Sequence, residues 1–237
     1  MSTLTIYVGH DSREQLAYDV CVASLKKRTD ANIVKLSTSL IPEYKRPKGE
    51  FESTDFTYSR FFVPYLNGYK GFAIFVDCDY VFLSDPAELL KNYECWEKPV
   101  SVCKHPQYIP KTAIKMDGIQ QHAMPMKNWA SFILFNCEHP DLKVLTPEYV
   151  NTVMPGRSLH QFDWIENKEE DIGSIPLDWN CLDGYYHLAA PKAIHYTDGG
   201  PWFKDYQHTF YSQYWYAEYT DMLLNDTPRS VQTVHGD

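Results

Sequence analysis

No stretch of this chain approaches the roughly 18 consecutive apolar residues that a membrane-spanning helix requires, and none of its six cysteines stands in a CxxC pair. The first absence leaves no candidate membrane span. The N-terminal run MSTLTIYVGHDSRE also lacks a basic segment followed by a long apolar core, so the expected location is the cytoplasm. The second absence argues against a clustered-thiol metal site. Several of Cys21, Cys78, Cys95, Cys103, Cys137 and Cys181 sit inside apolar runs, where a thiol behaves as a small hydrophobe, and reduced thiols are expected. Positive charge is scarce: 22 basic against 31 acidic residues give a net charge of −9, which disfavours nonspecific binding to nucleic acid. An acidic chain that takes an anionic nucleotide needs local positive charge, which a bound divalent cation supplies. There is no internal repeat, and the turn GHDSRE has one glycine and one arginine where a nucleotidyltransferase usually carries a Gly- and Lys/Arg-rich phosphate loop.

At 237 residues the chain fits one α/β domain over 1–237, with 205–237 as a C-terminal helical tail. Its organising stretch is FAIFVDCDYVF, residues 72–82. The apolar, β-prone run from Phe72 to Val76 reads as a buried strand that delivers Asp77 and Asp79 at its carboxyl end. Ligands of open α/β sheets gather at those ends, and two neighbouring hard oxygen donors suit Mg²⁺ or Mn²⁺. Around this stretch the pattern predicts strands at Leu4–Val8, Ile33–Leu36, Val100–Cys103, Ser131–Asn136, Gly173–Leu177 (an edge strand) and Ala193–His195. Helices are expected from Arg13 to Lys27, with Leu16, Val20 and Ala23 recurring at helical spacing, and over Thr57–Leu66, Pro86–Leu90, Leu159–Asn167 and Asp205–Leu224. Two further helical segments are expected at Pro140 and Pro147. The polar stretch 37–56, broken by Pro42 and Pro47, is a candidate lid. The stretch 104–127 shows no clear period; with 37–56 it is where acceptor contacts are sought.

Four segments in order, IYVGHDSRE, TYSRFFVPYL, NWASFILFN and HYTDGGPWF, resemble the retaining family 8 glycosyltransferases of the GT-A fold. The resemblance runs from about Thr5 to Phe203 and implies a mixed, mostly parallel central sheet flanked by helices. It implies that Asp77 and Asp79 form a DxD metal motif, with His195 as the third protein ligand of Mn²⁺ or Mg²⁺. It implies that Val8, Gly9, Asp11, Arg13, Tyr58 and Cys78 belong to the nucleotide and donor site. By the same resemblance Arg60 reaches the donor sugar or phosphates, Asn128 and Ser131 bond sugar hydroxyls, and Gln161 lies near the anomeric carbon. Two departures stand out. Gly200 precedes Pro201 where the family carries a lysine for the diphosphate, which would leave that contact to the N–H groups of Gly199 and Gly200 or to Lys204. His160-Gln161-Phe162 stands where the family tends to have Asp-Gln-Asp, with Asp163 displaced by one position.

The implied activity is metal-dependent transfer of a hexose from a nucleotide-diphosphate sugar, UDP favoured, to a hydroxyl of a sugar, glycan, lipid or protein, with retention. Gln161, Asp163 and Arg60 are the expected catalytic groups, and Asp163, Asp178 and Asp183 the carboxylates to test as nucleophiles or sugar-binding groups. Two rival readings stay open: a noncatalytic nucleotide- or carbohydrate-binding protein of the same fold, and a nucleotidyltransferase. Association with a second copy is likewise left open.

Overall fold

The computed structural model describes residues 4–47, 54–91, 94–105 and 126–226. Expectations for most of 104–127, for part of the stretch 37–56 and for the end of the tail fall outside these residues. Six strands make the main sheet: β1 (Thr5–Gly9), β2 (Asn32–Leu36), β3 (Phe72–Val76), β5 (Val100–Cys103), β6 (Phe132–Asn136) and β7 (Ile172–Ile175), in the order β2-β1-β3-β6-β5-β7. Only β6 runs against the others. In β3, Ala73 to Val76 are all fully buried, because a central strand covered on both faces needs an unbroken apolar run rather than alternation. The topology brings the carboxyl ends of β1, β3, β5 and β7 and the amino end of β6 to one edge of the sheet. Residues 9–11, 77–79, 103–105 and 128–132 therefore share that edge.

A second sheet was not expected. It contains β4 (Tyr80–Phe82), β8 (Cys181–Leu182) and β9 (Ala193–His195) in the order β4-β9-β8. β4 and β9 are antiparallel with Tyr80 opposite His195, so the strand that follows the aspartate pair is hydrogen-bonded to the strand that ends in the histidine. Ala193–His195 is buried as expected, but in this smaller sheet rather than the main one.

Helix α1 (Gln15–Lys26) packs on the sheets through Ala17, Val20, Cys21, Ser24 and Leu25, a spacing of three and four residues. Leu16, placed by its apolarity on the inward face, is 37% exposed. The face rotates toward Ser24 because its hydroxyl is satisfied inside, donating to Cys21 O at 2.8 Å and accepting from Phe82 N–H at 3.0 Å. The expected helix at Thr57–Leu66 is a 3₁₀ turn (Ser59–Phe62) followed by one α-turn (Val63–Leu66). The helix expected over Leu159–Asn167 ends earlier, spanning Gly156–His160; Phe162, buried at φ 54°, turns the chain out of helical geometry. The Pro86 segment is also 3₁₀ (Pro86–Lys91).

The C-terminal helix starts at Ser212, later than the pattern implied, and runs to Asp226. Tyr211 and Trp215 join Val20, Val81, Cys181, Ile194 and Tyr196 in a second apolar core that covers the smaller sheet. Glu218, 5% exposed, holds the helix to the end of α1 through an ion pair with Arg28 at 2.5 Å. All six cysteines are buried free thiols. Among the described residues no helix is long and apolar enough to cross a membrane.

Candidate metal and donor site

Asp77, Asp79 and His195 converge at the shared edge, with one ligand atom from each within 4.8 Å of the others. Asp77 extends β3, its N–H donating to Ser131 O at 2.9 Å, and Asp79 O accepts from Tyr196 N–H at 2.9 Å, so both aspartates are fixed by backbone pairing. His195 Nε2 lies 3.3 Å from Asp79 Oδ2. Its ring stacks on Tyr80, with centroids 4.4 Å apart and an interplanar angle of 15°.

The orientation of His195 follows from its buried neighbours. Asn180, fully buried, donates from Nδ2 to Asn128 O at 3.3 Å and to Ser131 Oγ at 3.1 Å. Its Oδ1 is therefore the atom facing His195 Nδ1 at 2.9 Å, and an amide oxygen only accepts, so Nδ1 carries the hydrogen. In the neutral ring, the form that ligates a metal, Nε2 then presents a lone pair toward the two carboxylates. A carboxylate oxygen of Asp79 and a bare imidazole nitrogen 3.3 Å apart are two acceptors that repel one another unless a cation or a proton sits between them. The donor set of hard oxygens and one borderline nitrogen fits Mn²⁺ or Mg²⁺. Ser131 completes the support: its hydroxyl donates to Asn128 O at 2.7 Å and accepts from Tyr80 OH at 2.9 Å.

Arg60 anchors the other aspartate. It is 5% exposed, with Nη1 3.0 Å from Asp77 Oδ1 and 2.5 Å from Ala130 O, and with Nε donating to Thr57 O at 3.0 Å. Its guanidinium lies over the Phe75 ring at 4.6 Å. The residue expected to touch the donor thus also ties the segment before β3 to the aspartate pair.

The remaining expected donor residues divide into those at the edge and those already engaged. Val8 is fully buried, so only its backbone faces the edge. Gly9 lacks a side chain because the Phe56 ring occupies that space: a Cβ there would lie 2.6 Å from it. Asp11, fully buried, accepts from Arg13 N and Nε at 2.9 and 3.0 Å, from Arg13 Nη2 at 2.6 Å and from Asp55 N–H at 3.0 Å. Burial alone would raise the Asp11 carboxyl, but these hydrogen bonds and the Arg13 charge hold it below its ordinary value. It pins the segment around Asp55 onto the first strand. The Cys78 thiol is buried and pushed well up, by burial first and then by Glu14 and the two aspartates.

Tyr58 packs against Gly156, where a Cβ would meet its hydroxyl at 2.1 Å, and Arg46 lies 4.2 Å above its ring. His160, next to Gln161, is T-stacked on Tyr58 and Phe61 at 5.6 and 5.2 Å. Burial, Arg60 and Arg46 push the His160 ring down to about 3, so this neutral ring stands where the resemblance called for an acid. Gln161 is half-buried and its carbonyl accepts from Lys168 Nζ at 3.0 Å. Asp163 is ion-paired to the same Lys168, which with Ser158 holds its carboxyl below the ordinary range. Gly199 N–H, named with Gly200 for a phosphate contact, donates to Tyr196 O at 2.9 Å and closes a turn at φ 128°. Gly200 accommodates the Trp202 ring, and Lys204 is exposed.

Asn180, Tyr80 and His105 were not singled out in the sequence. The available signal for Asn180 was a lone amide inside the otherwise apolar Trp179-Asn180-Cys181-Leu182, since a buried amide needs partners.

No family model matches the chain. It is 43% identical over 232 residues to Protein CDI of Arabidopsis thaliana, covering 93% of this chain and 85% of that protein. Among solved structures it superposes on the apo form of WbbM, a bifunctional glycosyltransferase, with TM-score 0.60 and 18% identity over 94% of this chain, spanning 51% of the WbbM chain. It also superposes on the galactosyltransferase LgtC in complex with donor and acceptor sugar analogs, with TM-score 0.55 and 12% identity, covering 92% of this chain and 95% of that one. The chain has the GT-A fold.

Proposed function

The chain belongs to the family of Arabidopsis thaliana Protein CDI, and we propose that it is a metal-dependent glycosyltransferase that moves a hexose from a nucleotide-diphosphate sugar, UDP favoured, to an acceptor hydroxyl with retention. The observation that carries this reading is the convergence of Asp77, Asp79 and a tautomer-fixed His195 at the ligand edge of a GT-A sheet. The superposed structures, a bifunctional glycosyltransferase and a galactosyltransferase with donor and acceptor sugar analogs, are in keeping with it.

Asp77, Asp79 and His195 would hold Mn²⁺ or Mg²⁺, which when bound supplies positive charge to the diphosphate as it departs. Arg60 keeps Asp77 in place and Asn180 keeps Nε2 of His195 turned toward the ligand. Two of the candidate carboxylate nucleophiles are engaged elsewhere: Asp163 pairs with Lys168, and Asp183 accepts from Tyr211 N–H at 2.8 Å. That favours attack by the acceptor hydroxyl on the face the diphosphate leaves, its proton passing to a diphosphate oxygen. His160 in place of an acid beside Gln161 is expected to set a sugar preference of its own. The acceptor is a hydroxyl of a sugar, glycan, lipid or protein, and the site of action is the cytoplasm.

The test is release of free nucleoside diphosphate from a panel of UDP- and GDP-sugars with Mn²⁺, Mg²⁺ or chelator. Release that needs metal and selects one donor is expected. Binding of nucleotide and metal without release, with every acceptor class supplied, would replace this reading with a noncatalytic binding protein. That alternative draws on Gly200 standing where a phosphate lysine was expected.

Asn180 is a positioning residue for His195. Asn180→Ala is expected to weaken Mn²⁺ binding about 10–100-fold, the usual effect of losing an outer partner of a ligating histidine, while nucleotide binding in chelator stays unchanged. Titration calorimetry with Mn²⁺ alone reads the effect; an unchanged metal affinity would remove this role.

A further inference from the structure

His105, two residues beyond β5 at the ligand edge, holds a buried nitrogen with no partner among the described residues. Its Nδ1 lies 2.6 Å from Tyr186 OH, and Tyr186 OH donates to the carbonyl of Asn180 at 3.0 Å. A phenol has one hydrogen, and a carbonyl can only accept. Tyr186 must therefore give its hydrogen to Asn180 and accept from His105, which places the ring hydrogen on Nδ1. His105 Nε2 is left as a lone pair, shielded from water and with no partner among the described residues. A buried acceptor left unmet is costly unless a ligand supplies the donor.

The same network offers the opposite function nearby. Asn128 Nδ2, a buried donor, also has no partner among the described residues, while Asn128 Oδ1 accepts from Thr197 Oγ1 at 3.2 Å. Both unmet atoms connect through Asn180, which accepts from Tyr186 and donates to Asn128 O, and whose Oδ1 faces His195. One acceptor and one donor beside the candidate metal ligands match the chemistry of hydroxyl groups, each of which both donates and accepts.

We propose that His105 Nε2 accepts a hydrogen bond from a hydroxyl of the transferred sugar, beside the sugar contact that the family resemblance already implies for Asn128. This rests on the glycosyltransferase reading and adds to it a residue that selects the sugar. Burial, with the neighbouring His195, pushes the His105 ring down to about 3, so it stays neutral and keeps its lone pair at working pH.

The test separates the two nitrogens. In His105→Asn the amide ends where Nδ1 lies, so Tyr186 keeps a partner and the Nε2 position is lost. In His105→Gln the amide reaches the Nε2 position. Affinities for UDP and for the UDP-sugars, each with Mn²⁺ and no acceptor, are measured by titration calorimetry. The expected result is that the ratio of sugar-nucleotide to UDP affinity, for the sugar that wild type prefers, falls about tenfold in His105→Asn. It should be largely kept in His105→Gln, with UDP affinity unchanged in both. An unchanged ratio in His105→Asn overturns the proposal, as does loss in His105→Gln with retention in His105→Asn, which would mark a role confined to Tyr186. If wild type binds neither UDP- nor GDP-based ligands with metal, the glycosyltransferase reading falls and this inference falls with it.

Discussion

Asp79→Asn is expected to lower metal-dependent release of nucleoside diphosphate by about 10²–10³-fold, the scale of removing one preorganised charge-stabilising group, while leaving the fold intact. The substitution keeps the side-chain shape, and the backbone contact from Tyr196 N–H to Asp79 O is untouched. What changes is the charge and the donor pattern. The carboxylate oxygen now 3.3 Å from His195 Nε2 would become an amide. Its N–H₂ can donate to that lone pair, closing with a hydrogen bond the gap a cation would fill. At a pH where the His195 ring is neutral, the metal-free protein should therefore melt at or above the wild-type temperature, since two facing acceptors become a donor and an acceptor. Two readouts decide it: Mn²⁺ titration and donor turnover. Turnover within tenfold of wild type would remove Asp79 from the machinery.

Arg60→Ala is expected to destabilise the protein by about 3–5 kcal/mol, the cost of stripping one partner from a buried ion pair. The size follows from what the guanidinium serves. It satisfies the carbonyls of Thr57 and Ala130, pairs with Asp77 and covers the Phe75 ring. Its removal leaves two carbonyls short of donors, the half-buried Asp77 carboxylate beside Asp79 without the guanidinium charge, and a void beside β3. Arg60→Lys should recover only part, because an ammonium cannot send hydrogen bonds along the separate directions of Nε and Nη1. Urea denaturation measures the loss. A change below about 1 kcal/mol would mean that the aspartate pair is held by backbone pairing alone. If the larger effect is found, Arg60 supports the metal site structurally before it touches any donor.

Much of the scaffold was legible because its signals are local. The run from Phe72 to Val76 could only be a buried strand or a short piece of helix, and its aromatic and β-branched residues decided for the strand. The aspartates at its end followed at once. Where the reading slipped, a local rule met a tertiary requirement. Leu16 is apolar yet partly exposed, and Ser24 is polar yet buried, because the hydroxyl of Ser24 caps the backbone of β4, a strand whose existence the sequence did not announce. Gly9 was expected in the nucleotide and donor site, and the space a side chain there would fill is taken by Phe56. Asp11 was expected in the nucleotide and donor site, and its carboxylate accepts hydrogen bonds from Arg13 and Asp55 N–H, contacts the sequence did not announce.

The amino-acid sequence by itself determined the α/β class, the strand that carries Asp77 and Asp79, and the acidic balance that makes a cation the natural partner of an anionic ligand. These depend on neighbours in the chain: runs, spacing and composition. Only the tertiary structure decided how His195 reaches Asp79, that Asn180 fixes its tautomer, that Arg60 holds Asp77 and that His105 Nε2 is buried with no partner among the described residues. His195 stands 116 residues beyond Asp79. No local pattern encodes such meetings; they arise because parallel strands end at one edge, because β4 pairs with β9, and because each polar group buried there had to find a partner.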